Sequence, residues 1–215
     1  SSFALSGNSS ELTVEAWVKW TDDGSDWYPI LEQGWGTNSS RFYFALTGES
    51  EGCSVDHAPG TPYFEFKSTP DDPEGCVYAN QPLTQGQWTH IAAVYNSGNV
   101  KIFVQGELLA EKQLSTTSLL SPAPVDLNIG YTIAGNETWF SGSIFEIHLS
   151  NSALYTQDFS VPLNLQADES SMGLWQLNSG SGLIISDSTG LGHQGTIDGA
   201  TWTASCPEED LDNDG

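Results

Sequence analysis

Between residues 88 and 109 the apolar positions fall into two short runs, 88–95 and 100–104, rich in β-branched and aromatic side chains that fit a pleated surface. In the second run Val100, Ile102 and Val104 alternate with Lys101, Phe103 and Gln105, the period of a strand with one buried face. Asn96-Ser97-Gly98-Asn99 separates the runs and Gln105-Gly106 follows the second; such residues supply the positive-φ positions that tight hairpins need. The same alternation places Val14, Ala16 and Val18 on one face of residues 12–19, and Ile91 and Ile129 extend that inward set. Further strands are predicted over 61–67, 174–177, 183–186 and 196–202, the last three folding back beside the N-terminal strand. No segment holds a helical period over three turns; residues 156–167 predict at most a short helix or an extended tie. The pattern predicts an all-β, two-sheet antiparallel sandwich over residues 1–205, with 206–215 as an acidic tail.

The wording of these strands carries a resemblance. Gln87-Trp88-Thr89-His90-Ile91-Ala92-Ala93-Val94-Tyr95 followed by Val100-Lys101-Ile102-Phe103-Val104-Gln105-Gly106-Glu107-Leu108 resembles the central hairpin of laminin G-like (LamG) domains of the concanavalin A-like lectin/glucanase superfamily. Leu12-Thr13-Val14-Glu15-Ala16-Trp17-Val18-Lys19, Ile30-Leu31-Glu32-Gln33-Gly34, Leu127-Asn128-Ile129-Gly130 and residues 140–147 are similar to further LamG segments, in order and at ordinary spacing. The resemblance implies a concanavalin A-like jelly roll. Residues 173–182 and 185–196 resemble a module that precedes the LamG core in many relatives; here it follows.

Charge narrows the function. Five basic against twenty-eight acidic residues give a formal net charge of −23, which argues against binding nucleic acid or an anionic membrane surface. No apolar run approaches the roughly 20 residues of a spanning helix, so no membrane insertion is expected. The chain opens directly on a strand-like Phe3-Ala4-Leu5 and is read as a piece of a larger, exported multidomain protein. Cys53 and Cys76 bracket a turn-rich insertion and are expected to pair, which implies an oxidising location, secreted or on the cell surface. Closing that loop would contribute about 3 kcal/mol if unstrained. Cys206 is left over.

The tail 206–215 contains Asp210, Asp212 and Asp214 at alternate positions and then Gly215, a spacing that wraps oxygen ligands around Ca²⁺. With its leading Cys206-Pro207 it resembles the start of a thrombospondin type 3 calcium repeat, a bacterial-looking arrangement; a plain acidic linker is the alternative. Asp187 is a candidate for a structural Ca²⁺ site or for a turn-stabilising hydrogen bond.

The superfamily's glucanases carry Glu-x-Asp-x-x-Glu on one strand, and this chain has no such triad. Glu15 and Glu146 stand far apart in sequence, and the histidines sit in no recognisable nucleophile motif. The chain is therefore expected to be a non-catalytic, calcium-stabilised extracellular binding module. Its partner is expected to be a glycan or, alternatively, a cell-surface protein contacted by an adhesion or spacer domain. Trp27, Tyr28, Trp35 and Trp139 are the candidate stacking rings and Arg41 a candidate bidentate donor; core packing at strand ends is the competing role of each ring.

Overall fold

The computed structural model describes residues 10–34, 42–49, 57–66, 75–115, 126–132 and 137–207. Among these residues every regular element is a strand. The first half contributes β1 (Glu11–Trp20), β2 (Trp27–Gln33), β3 (Phe42–Thr47), β4 (Pro62–Phe66) and β5 (Cys76–Tyr78). A meander follows: β6 (Thr89–Asn96), β7 (Asn99–Val104) and β8 (Glu107–Gln113). Then come β9 (Leu127–Ile129), β10 (Tyr131–Thr132), β11 (Thr138–Trp139), β12 (Gly142–Ser150) and β13 (Ser171–Gln176). A short ribbon of β14 (Ile184–Ile185) and β15 (Gly195–Thr196) ends the series.

Two antiparallel sheets form a jelly-roll sandwich. The six-stranded sheet runs β13-β12-β1-β6-β7-β8 and the five-stranded sheet β5-β4-β3-β2-β9. Between them lies the expected core: Val14, Ala16, Val18, Ile91 and Ile102 are fully buried, with Val104 and Ile129 half-buried against them. The facing sheet supplies Phe42, Phe44, Phe64 and Phe66 at alternate positions of β3 and β4. That is the two-residue period by which a strand presents one face inward. Ser97 and Gly98 join β6 to β7 with φ of 48° and 93°, the paired positive φ of a tight hairpin turn.

One expectation changes and another is narrowed to one of its two alternatives. β13 pairs with β12 rather than beside the N-terminal strand. Both sides of β1 are already taken, by β12 and β6, so the open edge at β12 receives the returning chain. Residues 156–167 form no helix and are instead the extended tie that the sequence left as the alternative. They belong to an extended strap, residues 151–170, laid across the outer face of the six-stranded sheet. Its Val161 and Leu165 pack on Trp17, Trp88 and Leu174, and its Tyr155 and Phe159 on Ala92, Val94 and Phe103. The strap explains why β1 is buried on both faces along most of its length.

Candidate functional site

Alternation along the five-stranded sheet turns a second set of side chains away from the core. Asn128, Glu32, Tyr43, Glu65 and Cys76 stand opposite one another in one cross-strand row over β9, β2, β3, β4 and β5. Ala45, Tyr63 and Tyr78 form the next row. Trp27 joins them, its ring 5.0 Å from that of Tyr63 and 6.0 Å from that of Tyr43. Tyr63 lies 4.7 Å from Tyr78, and His57 stacks on Tyr78 at 3.9 Å. The Tyr63 hydroxyl donates to Glu65. Burial, reinforced by the Glu65 carboxylate, drives the Tyr63 phenol far above its ordinary range, and burial with Glu32 and Glu65 does the same to Tyr43. Tyr43 and Tyr63 are only 3% and 2% exposed. They form a packed aromatic floor rather than an open platform.

The open ring is at the β9 edge. There the chain turns through Gly130, whose φ is 69°, and whose amide donates to the Ile30 carbonyl at 3.0 Å. The ribbon of β10 and β11 follows, pairing Tyr131 with Trp139. Trp139 is 58% exposed and its ring lies 5.6 Å from Tyr131 at an interplanar angle of 37°. Glu32 anchors this ribbon from below. Its carboxylate accepts from Asn128 Nδ2 at 2.6 Å and from Thr132 Oγ1 at 2.8 Å. Burial raises the Glu32 carboxyl above its ordinary value against the pull of those two donors. Buried carboxylate, two latching donors and a displayed ring thus form one unit.

The other expected residues are dispersed. Trp27 is half-buried on the aromatic floor. Tyr28, its neighbour in sequence, points into the core with no exposed surface, against Trp20 at 5.4 Å, with its hydroxyl on Asp22 Oδ1 at 2.6 Å. Trp35, Arg41, Cys53, Asp210, Asp212 and Asp214 lie outside the described residues. Cys76 is buried on β5, 3.5 Å from the Tyr63 hydroxyl, and Cys206 is a free thiol.

Asp187 sits at a bridge to Trp175, and its carboxylate is wholly committed to N–H and O–H donors. Oδ1 accepts from the amides of Leu174 at 3.2 Å and Thr189 at 3.0 Å, and Oδ2 from the amide of His193 at 3.1 Å. The Thr189 hydroxyl lies 2.7 Å from either oxygen. Burial alone would raise this carboxyl; the donors outweigh it and hold it below its ordinary value. Asp187 pins the turn that returns the chain to β13. Among the described residues, no three His, Cys, Asp or Glu side chains gather as a metal-holding group.

Sequence reasoning missed a buried polar cluster beneath the strap. Glu15 on β1 accepts from His148 Nδ1 at 2.7 Å, from His90 Nε2 at 3.0 Å and from the Tyr155 hydroxyl at 2.8 Å. His148 Nε2 meets Ser171 Oγ at 2.8 Å. Burial pushes the Glu15 carboxyl up, but the hydrogen bonds and charge of His148 and His90 reverse this and take it down to about 2. Ser171, His148 and Glu15 lie in the order of a hydroxyl–imidazole–acid relay. However, Ser171 is 7% exposed and its Oγ already accepts the Asp168 amide at 2.8 Å. The cluster clamps the strap to the sheet. Only strand register could have exposed it, because Glu15 and Tyr155 alone are 140 residues apart in the sequence.

The sandwich and its strand grammar define a lectin-type scaffold, and the matching family model confirms it. The chain belongs to the concanavalin A-like lectin/glucanases superfamily, through a laminin G-type family whose model matches residues 2–159. Among solved structures, a candidate carbohydrate binding protein from Bacteroides ovatus superimposes with a TM-score of 0.64 at 20% identity, over 93% of this chain and 57% of that one. The CBM40 of the Ruminococcus gnavus IT-sialidase, bound to α2,3 sialyllactose, gives 0.55 at 19% identity over 72% of this chain and 88% of that one. A heptameric SAP-like pentraxin from Limulus polyphemus gives 0.50 at 16% identity, over 68% of this chain and 66% of that one. At these identities the likeness establishes the fold. The chain thus spans less than two thirds of the Bacteroides and Limulus chains it resembles. Among curated protein sequences, none matches this chain.

Proposed function

We propose that this domain is a non-catalytic extracellular module that binds glycans through the edge of its five-stranded sheet. The observation that carries the reading is the Trp139–Tyr131 pair, a large exposed ring backed by a second ring and held by the buried Glu32 latch. Exposed aromatic faces cover the apolar faces of sugar rings, while nearby carboxylates and amides accept and donate to hydroxyls. The Ruminococcus gnavus module, on the same fold, is bound to sialyllactose, which supports glycan binding as a use of this scaffold. Fold alone does not give function, so the site carries the weight.

Three further expectations belong to the same proposal. Ca²⁺ stiffens the junction to a following repeat through Asp210, Asp212 and Asp214. Cys53 and Cys76 pair, in keeping with a secreted or cell-surface location. The domain works as one part of a longer protein. A protein partner is favoured by a different feature: Leu183, Ile184 and Leu191 are more than half exposed around the β14–β15 ribbon.

The test is a glycan array probed with the whole chain in Ca²⁺ and in chelator, then repeated with Trp139→Ala. Retention of one or more glycans, weakened about tenfold or more by the substitution, is the expected result for an anchoring ring. Equal retention by both proteins would remove Trp139 from the site.

A further inference from the structure

The strap covers only part of the outer face of the six-stranded sheet. Tyr155 and Phe159 lie over Ala92, Val94 and Phe103, and the rows nearer the β6–β7 turn are left at the strap's margin. We infer that the cleft formed there, about 320 Å³ in volume, is a second binding site, for a neutral sugar residue. Asn96, Asn99, Lys101 and Glu111 line it from the meander, and Tyr155 and Thr156 from the strap. Its size is at the lower end of ligand pockets, roughly 300–1,000 Å³, and suits a sugar unit better than a long chain. The Trp139 platform belongs to the other sheet, so this inference does not rest on it.

Strand register builds the polar set. Lys101 stands between Val94 on β6 and Glu111 on β8, and Asn99 stands opposite Asn96 one row further on, so these side chains leave the same face of the sheet. They hold one another in place. Lys101 Nζ donates to the Thr156 carbonyl at 2.6 Å and faces Glu111 at 3.6 Å, and Asn99 Nδ2 donates to Glu111 Oε1 at 2.9 Å. The Lys101 side chain is only 18% exposed although it stands on an outer face, because the strap walls it in; an ordinary surface ion pair lies open to water. Bonding capacity is left over. Lys101 keeps an N–H, Asn99 its Oδ1 and Glu111 its Oε2, and the Asn96 side-chain amide makes no hydrogen bond among the described residues. A hydroxyl both donates and accepts, and a sugar presents several side by side, which matches donors and acceptors interleaved in this way. The charges of Lys101 and Glu111 offset each other, so a neutral ligand leaves neither uncompensated. The Tyr155 ring is fixed, with Phe159 stacked on it at 3.6 Å and its hydroxyl held by Glu15 at 2.8 Å. With Val94 it gives apolar surface to the C–H groups of a sugar ring.

Nuclear magnetic resonance reads the two sites separately. The ¹⁵N-labelled whole chain is titrated with the methyl glycosides of glucose, galactose, mannose and N-acetylglucosamine. The side-chain amide signals of Asn96 and Asn99 report the cleft, and the indole N–H of Trp139 reports the platform. At least one glycoside is expected to shift both asparagine signals along a saturating curve. Glu111→Ala, at an exposed position, is expected to weaken that binding about tenfold or more, as the loss of a charged acceptor does, while the remaining spectrum stays that of the folded chain. Asn96→Ala, read at Asn99, is expected to weaken it as well. Shifts confined to Trp139 and its neighbours would overturn the cleft site and leave the platform standing. Shifts at the asparagines that grow linearly without saturating, that survive both substitutions unchanged, or that no glycoside produces would overturn it too, whatever Trp139 does.

Discussion

Trp27 and Tyr28 are adjacent in sequence and opposite in the fold. Strand β2 turns Trp27 outward to the aromatic floor and Tyr28 inward against Trp20, because successive side chains of a strand leave on opposite faces. Two neighbouring rings on one strand therefore never offer one stacking surface. Composition shows the rings; register decides which of them face water. Glu15 makes the same point for charge. As a lone glutamate in a strand it signals nothing, yet pairing of β1 with β6 and β12 brings two imidazoles and a phenol to it. Glu15→Gln keeps the shape but removes the charge that orients three donors. Breaking a buried charge-assisted cluster costs about 3 kcal/mol or more, so the urea midpoint should fall accordingly. A change within about 0.5 kcal/mol, typical of surface sites, would show that the cluster adds little.

At the level of elements, period-two apolarity located β1, β6 and β7, and the strands expected over 61–67 and 174–177 are found as β4 and β13. The strap was legible as an extended tie at most, without the points at which it is anchored. Tyr155 and Phe159 pack on one patch of the sheet and Val161 and Leu165 on another, and the spacing of the four follows those patches instead of a single repeating period. Of the strap's anchors only the Gln105-Gly106 turn is visible in the sequence, as a turn and not as an anchor. There Gly106 has φ of 78°, its carbonyl accepts from the Phe159 amide at 2.9 Å, and an added Cβ would stand 2.0 Å from the Phe159 oxygen. Gly106→Ala is strained both by its own backbone and by that contact. A loss of about 2 kcal/mol is expected, with faster proteolysis within residues 151–170 as the strap lifts. Unchanged cleavage there would show that the strap does not depend on this turn. The candidate site was legible only in part, for a similar reason: Trp139 stood out as a ring in a polar loop, but Glu32, Asn128 and Thr132 meet only when β2, β9 and β10 are brought together.

Across the whole molecule the buried carboxylates pull stability in two directions with pH. Glu15 is lowered from 4.5 to about 2. The folded state therefore binds fewer protons than the unfolded one in that interval, and stability drains away as pH falls through it. Asp187, held below its ordinary value by its donors despite burial, adds to the same acid limb. Glu32 and Glu146 behave oppositely. Burial raises both above their ordinary 4.5, so as pH climbs past that value the unfolded chain ionises first and stability declines until the folded groups follow. The overall charge, −23 at pH 7, adds self-repulsion on the same side. Urea midpoints measured across pH should therefore peak in the mildly acidic range, near the ordinary carboxylate pKa of about 4.5, instead of at neutrality. Salt identifies the diffuse part, since it screens exposed charges and leaves buried groups nearly untouched. High NaCl should lift the neutral side of the curve and barely alter the acid limb. Substitution identifies the rest: Glu15→Gln should flatten the acid limb, and Glu32→Gln with Glu146→Gln should flatten the decline that persists in salt. A curve rising steadily from pH 3 to pH 8 would show that the raised carboxyls do not govern the neutral side.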